Sequence, residues 1–335
     1  MLYIRTDMNN TIATGHVMRC LAIADEAKEQ GEQVMFLLAD EQALELITQR
    51  GYQALVLHTN WNDMESELPE LLQVVEKEKI EKILIDSYQV TERYLQVLTS
   101  YVKTVYIDDQ NAFVYPVSGI ICYANYWQKF DYPNRYKGTK LFLGTDYVPL
   151  RKVFSECEKK QIRNKAEELL ILSGGTDPYE ILKGILEKID KSEYKCINVI
   201  CGRYYTAYED LKKVYSSFDN VHIYQAVSNI EYYMKNADIV VSAGGTTLYE
   251  LCACGTPAIS YSFADNQLDN VHQFQEDGMI DYAGDVRFDK VIENIIYYLD
   301  KYQGDMQLRQ QRSRKMQKLI DGNGALRIVE ALKDI

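Results

Sequence analysis

No apolar run in the 335 residues approaches the roughly 20 that a membrane-crossing helix requires, and with runs this short no signal-peptide pattern is expected. Basic residues are outnumbered, 37 Lys and Arg against 49 Asp and Glu, and no long Lys/Arg cluster offsets the net charge of −12. Both a stable membrane association and a nucleic-acid partner are therefore disfavoured, and any phosphate has to be bound locally. The seven cysteines include no C-x-x-C pair. An odd number of unpaired thiols suits a reducing, cytoplasmic setting, and Cys252 and Cys254, on a helix expected to be buried, read as packing rather than metal ligands. The glycine turns carry no Walker A lysine and no complete G-x-G-x-x-G with a downstream ribose acid, which disfavours a P-loop and a dinucleotide cofactor.

Short apolar runs are present in quantity. They fall near 2–6, 34–38, 54–57, 82–86, 103–107 and 119–122, and again near 168–172, 196–201, 221–224, 238–242, 257–261 and 279–283, alternating with helical patterns. Strands alternating with helices predict parallel sheets covered on both faces. The chain is longer than one hydrophobic core usually spans, so two α/β domains are expected: residues 1–150, a charged linker at 151–167, and residues 168–335.

Three loops carry the chemistry. Gly15-His16-Val17-Met18-Arg19-Cys20 follows the first strand and opens a helix, placing His16 at the carboxyl end of the sheet and at the positive end of a helix dipole. Position alone leaves His16 as either a base or ligand contact, or a capping and packing residue. In the second half, the strand Ile239-Val240-Val241-Ser242 runs into Ala243-Gly244-Gly245-Thr246-Thr247 and a helix bearing Glu250. Glycines let a backbone approach a phosphate, the helix N-terminus and hydroxyls supply donors, and Glu250 could accept from a ribose diol. The same turn could equally serve only strand–helix packing, with Glu250 solvated. A third turn, Ser173-Gly174-Gly175-Thr176-Asp177-Pro178, opens the second domain. Asp108-Asp109 reads as an ordinary turn ending a strand, with metal ligation as the alternative.

Ala13 through Arg19, Ile85-Asp86-Ser87-Tyr88, Gly144 through Arg151, Ser173 through Asp177, Ser242 through Pro257, Asp265-Asn266-Gln267 and Asp321 through Ala325 fall in an order seen in one group. The chain resembles the UDP-sugar hydrolase family of pseudaminic acid biosynthesis (PseG), its spore-coat polysaccharide relatives and, more distantly, the MurG glycosyltransferase. That resemblance implies the GT-B architecture, two Rossmann-like domains with parallel sheets facing across a cleft, the last helix packing back on the first domain. It implies His16 as general base, with Arg19, Tyr88 and Asn266 completing the catalytic set, and Gly15, Tyr88, Asn266 and Gln267 facing the sugar. Gly174, Gly175, Ser242, Gly244, Gly245 and Thr246 are implied to hold the diphosphate, Glu250 the ribose, and the backbone of Val227 the uracil. Ala13 stands where the family has its first loop glycine. The implied reaction is metal-free and cofactor-free hydrolysis of a UDP-diacetamido-trideoxyhexose by water attack at the anomeric carbon. The alternative is a MurG-like transferase using a UDP-amino sugar, disfavoured because Asn60 to Leu72 is acidic where a membrane-docking transferase would be basic and apolar; a catalytically silent binding protein would lack the base.

Overall fold

The computed structural model describes residues 1–335. Its first sheet is built from runs short enough to be crossed in four or five residues: β1 (Leu2–Thr6), β2 (Val34–Leu38), β3 (Gln53–Val56), β4 (Lys82–Asp86), β5 (Lys103–Ile107), β6 (Gly119–Cys122) and β7 (Lys140–Leu143). All pairings are parallel and the order is β3-β2-β1-β4-β5-β6-β7. The inner strands β1 and β6 are buried along their whole length, as a parallel sheet covered on both faces requires. β7 has no counterpart in the apolar runs of the sequence. It is an edge strand, only three apolar residues, Leu141-Phe142-Leu143, behind an exposed Lys140.

The second sheet comprises β8 (Glu168–Leu172), β9 (Cys196–Cys201), β10 (Val221–Gln225), β11 (Ile239–Ala243), β12 (Ala258–Ser262) and β13 (Ile280–Asp285), again all parallel, in the order β10-β9-β8-β11-β12-β13. In each sheet the direction of winding reverses once, between β1 and β4 in the first and between β8 and β11 in the second. At such a switch point the adjacent loops leave in opposite directions and open a crevice at the carboxyl ends of the strands.

The chain divides into two compact units, Met1–Lys152 with Gly322–Ile335, and Val153–Asp321. Two expectations from the sequence change accordingly. The second unit ends at Asp321 and not at residue 335, because the last helix, Gly324–Lys333, packs on the helix Gly15–Glu29 of the first unit. Its seat is tight: a Cβ on Gly324 would collide with the backbone of Val148, and Arg327 donates to the Asp146 carbonyl at 3.0 Å. Most of the segment expected to be a linker is packed into the second unit. Buried Arg309 donates to the carbonyls of Arg163 and Asn164 at 3.0 and 2.9 Å, and Lys160 Nζ donates to the Ala237 carbonyl at 2.7 Å. Of the charged residues there, Lys160 spends its head on backbone carbonyls, whereas Glu156, Glu158, Lys159, Arg163 and Lys165 are exposed. The acidic stretch Asn60–Leu72 is likewise only partly a surface: Glu67 is buried and takes two bonds from Arg5, at 2.9 and 2.5 Å, plus the Tyr94 hydroxyl at 2.8 Å.

Candidate active site

In the first unit the loop between β1 and the helix Gly15–Glu29 is held by Asn9, whose Oδ1 accepts from the amides of Thr11 and Ile12 at 2.8 and 3.0 Å. Ala13 lies at φ +56°, in the left-handed region where a glycine costs nothing and an alanine roughly 1 kcal/mol. The backbone thus keeps a glycine-like course despite the substitution read from the sequence. Gly15 begins the helix with open space around its Cα, and His16 follows, buried.

His16 does not stand alone. Its Nδ1 lies 2.7 Å from Oδ1 of Asp86, the last residue of β4, directly across the switch point from the β1 loop. Arg19, one helical turn beyond His16, grips the same carboxylate with both ends of its guanidinium: Nε donates to Oδ2 at 2.5 Å, one terminal amine donates to Oδ1, and the other donates to the Tyr123 hydroxyl at 2.6 Å. Burial alone would push the Asp86 carboxyl up, but Arg19 and then His16 outweigh it and hold it well below the usual carboxylate range. An ionised carboxylate only accepts, so its bond to His16 places an imidazole proton on Nδ1 and leaves Nε2 as the outward nitrogen; the Arg19 amine that serves Oδ1 also lies 2.8 Å from that Nδ1.

Tyr88, two residues past Asp86, sets its ring edge-on to His16 with centroids 4.7 Å apart, and its hydroxyl donates to Oδ2 of Asp109 at 2.8 Å. The two adjacent aspartates therefore do different things. Asp108 is the turn residue: its carboxylate accepts from the amides of Gln110 and Asn111 at 3.0 Å and from the Tyr115 hydroxyl at 2.9 Å. Asp109 turns toward Tyr88, and its Oδ1 is buried with no partner. Burial pushes the Asp109 carboxyl up, against the opposing pull of Arg19 and of the Tyr88 hydrogen bond. No group of three or more His, Cys, Asp or Glu is arranged to hold a metal.

In the second unit the residues singled out by sequence lie on loops at the carboxyl ends of the strands. Gly174 and Gly175 follow β8 and Ser242–Thr246 span the end of β11, so these two turns flank the second switch point. The glycines divide by role. Gly174 sits at φ +81°, and the turn nests against Gly202, where a Cβ would collide with the Gly174 and Gly175 carbonyls. A Cβ on Gly244 would strike Val271, whereas one on Gly245 would meet nothing within 4 Å. Gly244 is thus a packing glycine, and Gly245 is the one with room for an approaching ligand. Asn270, buried, fixes the turn by donating to the carbonyls of Gly244 and Gly245 at 3.0 and 3.3 Å while accepting from the Tyr249 hydroxyl at 2.8 Å. Thr246 is exposed at the N-terminus of the helix Thr247–Cys254, and Glu250 lies in its first turn.

Asn266 and Gln267 stand in the first turn of the helix Asp265–Glu276, at the end of β12. Asn266 is exposed, whereas the Gln267 side chain accepts from the Phe263 amide at 3.0 Å and so holds the helix start. Val227 follows β10, three strands removed from β11. Tyr123 and Asn270 carry no mark in the sequence; Asp86 lies in the motif Ile85–Tyr88 without an assigned role, and Asp109 reads only as a turn residue or metal ligand. For Asp86 a signal existed, a carboxylate closing the buried run Ile83-Leu84-Ile85, where water would otherwise be needed.

Two all-parallel sheets of seven and six strands, each with its loops at a single switch point, make this a protein of GT-B glycosyltransferase fold. MurG of Acinetobacter baumannii superposes with a TM-score of 0.68 at 13% identity, covering 100% of this chain and 99% of that one. Residues 169–323 match the model of the glycosyltransferase family 28 C-terminal domain, which takes in the turns of the second unit. Among curated relatives, an uncharacterized protein of Methanocaldococcus jannaschii is 27% identical over 273 residues, 76% of this chain and 54% of that one. The spore coat polysaccharide biosynthesis protein SpsG of Bacillus subtilis is 23% identical over 203 residues, 59% of either chain. This chain thus spans between half and three-fifths of the length of these two relatives. No helix of the structure is long and apolar enough to cross a membrane.

Proposed function

We propose that this protein hydrolyses a UDP-linked diacetamido-trideoxyhexose to UDP and the free sugar, with water attacking the anomeric carbon directly. The observation that carries the reading is the buried His16–Asp86 pair at 2.7 Å, at the switch point of a unit whose fold is that of nucleotide-sugar enzymes. Asp86 orients His16 so that Nε2 takes a proton from water as the oxygen–carbon bond forms; the anomeric carbon–oxygen bond breaks and its electron pair leaves with the UDP β-phosphate. Developing charge on the diphosphate is met by backbone amides at Gly245 and Thr246 and at Gly174-Gly175. Glu250 accepts from the ribose diol, the backbone of Val227 reads the uracil, and Arg19, Tyr88, Asn266, Gly15 and Gln267 serve the reacting sugar. No metal is needed in this scheme.

The family 28 domain match and the likeness to MurG favour a second reading, transfer of a UDP-amino sugar to an acceptor alcohol with His16 deprotonating that alcohol. Incubation with a panel of UDP-amino sugars separates the two. Release of UDP without acceptor supports hydrolysis; release only with an acceptor supports transfer. In either case His16→Ala is expected to abolish turnover while leaving UDP affinity within a few-fold. Near wild-type activity of that variant would overturn the role given to His16.

A further inference from the structure

All seven cysteines are free, and two of them meet: Sγ of Cys157 lies 3.8 Å from Sγ of Cys254, within the second unit. They come from segments of different regularity. Cys254 is buried as the last residue of the helix Thr247–Cys254, locked by the left-handed Gly255 at φ +67° and by the Thr256 hydroxyl, which donates to the Met234 carbonyl at 2.6 Å. Cys157 is half-buried, on the stretch without helix or strand between the turn Lys152–Phe154 and β8. A disulfide requires the sulfurs to close to about 2.05 Å, a shift that the irregular segment can supply and the helix end cannot.

The surroundings set the order of reaction. Lys235 stands beside Cys157, its Nζ 3.4 Å from the Val153 carbonyl, and Glu231 also faces this thiol; Glu250, Lys235 and Lys160 face Cys254. The Cys254 hydrogen bond, and then Lys235, draw the Cys157 thiol down to about 7, while the Cys157 contact and burial push Cys254 up. The remaining thiols are Cys20, Cys122, Cys201 and Cys252, which burial pushes up, and half-buried Cys196, also raised.

We propose that Cys157 and Cys254 form an oxidation site that a peroxide converts to a disulfide, with Cys157 as the attacking and Cys254 as the resolving thiol. The Cys157 thiolate attacks a peroxide oxygen: a sulfur–oxygen bond forms, the oxygen–oxygen bond breaks and hydroxide leaves, giving the sulfenic acid. Cys254 loses its proton to that hydroxide, giving water, and its thiolate attacks the Cys157 sulfur; the sulfur–sulfur bond forms, the sulfur–oxygen bond breaks and hydroxide departs to the solvent. The peroxide is the two-electron oxidant. The bond closes a loop across 97 positions that contains four strands of the second sheet.

The test uses the full chain, first reduced and then treated with hydrogen peroxide at near-equimolar amounts, quenched with N-ethylmaleimide and mapped by peptide mass spectrometry. A Cys157–Cys254 linked peptide that dithiothreitol reverses is expected, with Cys157 reacting at least about tenfold faster than Cys196. C254S should trap a dimedone-reactive sulfenic acid on Cys157. Because that substitution is buried, the wild-type crosslink and a C157A control at the half-buried position stand as independent readouts. Absence of the linked peptide in the wild type, or Cys196 reacting as fast as Cys157, overturns the assignment.

Discussion

Replacing Asp86 by Asn tests the central pair most directly. Asp86 is 1% exposed and serves Arg19 twice and His16 once, so the substitution keeps the shape but removes the charge paired directly with a guanidinium that is itself 7% exposed. Breaking a buried pair by deleting one charge costs about 3–5 kcal/mol, and the amide oxygen still accepts one bond, which places the loss near the lower end. At about 3 kcal/mol the first unit should melt roughly 6–12 °C lower, read by scanning calorimetry. The folded Asp86 titrates below its ordinary 3.8, so its stabilisation is complete above that value and is lost only as pH falls through the folded value. Asp86→Asn should therefore flatten the acid limb of the stability profile. Turnover should fall by about 10²–10⁴, because the amide no longer enforces the Nδ1 proton. Since Asp86 acts through His16, the double variant with His16→Ala should be no slower than His16→Ala alone. A further loss in the double variant, or Asp86→Asn with wild-type melting and turnover, would refute the pairing.

Glu250→Ala should weaken UDP binding by about 1–3 kcal/mol if its carboxylate accepts from the ribose, and a calorimetric titration with unchanged affinity would return Glu250 to an ordinary surface role. The two glycines of the β11 turn should separate: Gly244→Ala destabilises the second unit through its collision with Val271, whereas Gly245→Ala leaves the melting temperature nearly unchanged and weakens UDP binding. Equal thermal effects at both positions would contradict this division. Asp109 titrates above its usual range, so its ionisation costs stability as pH rises through the folded value; Asp109→Asn should remove that slope and match or exceed the wild type at pH 7. A variant less stable than wild type at pH 7 but equal to it in acid would show that the carboxylate is stabilising where it is ionised.

The apolar runs of the chain coincide with twelve of the thirteen strands, because a parallel sheet covered on both faces buries its strands; the edge strand Lys140–Leu143, three apolar residues behind an exposed lysine, is the one not anticipated. It also located the loops at both switch points, because glycines and a polar residue opening a helix are local requirements of a strand–helix turn. What tertiary structure decided was which distant residues share an environment. That Asp86 orients His16, that Asp109 and not Asp108 faces Tyr88, and that Gly244 is filled by Val271 while Gly245 is open all depend on strand order, whereas the bond of Gln267 to Phe263 is local to its own helix start. Strand order brings β4 beside β1 across 75 intervening positions, and nothing in either strand's own residues encodes that neighbour. The packing of residues 153–167 was settled in the same way, by close contacts between segments that are far apart in the chain.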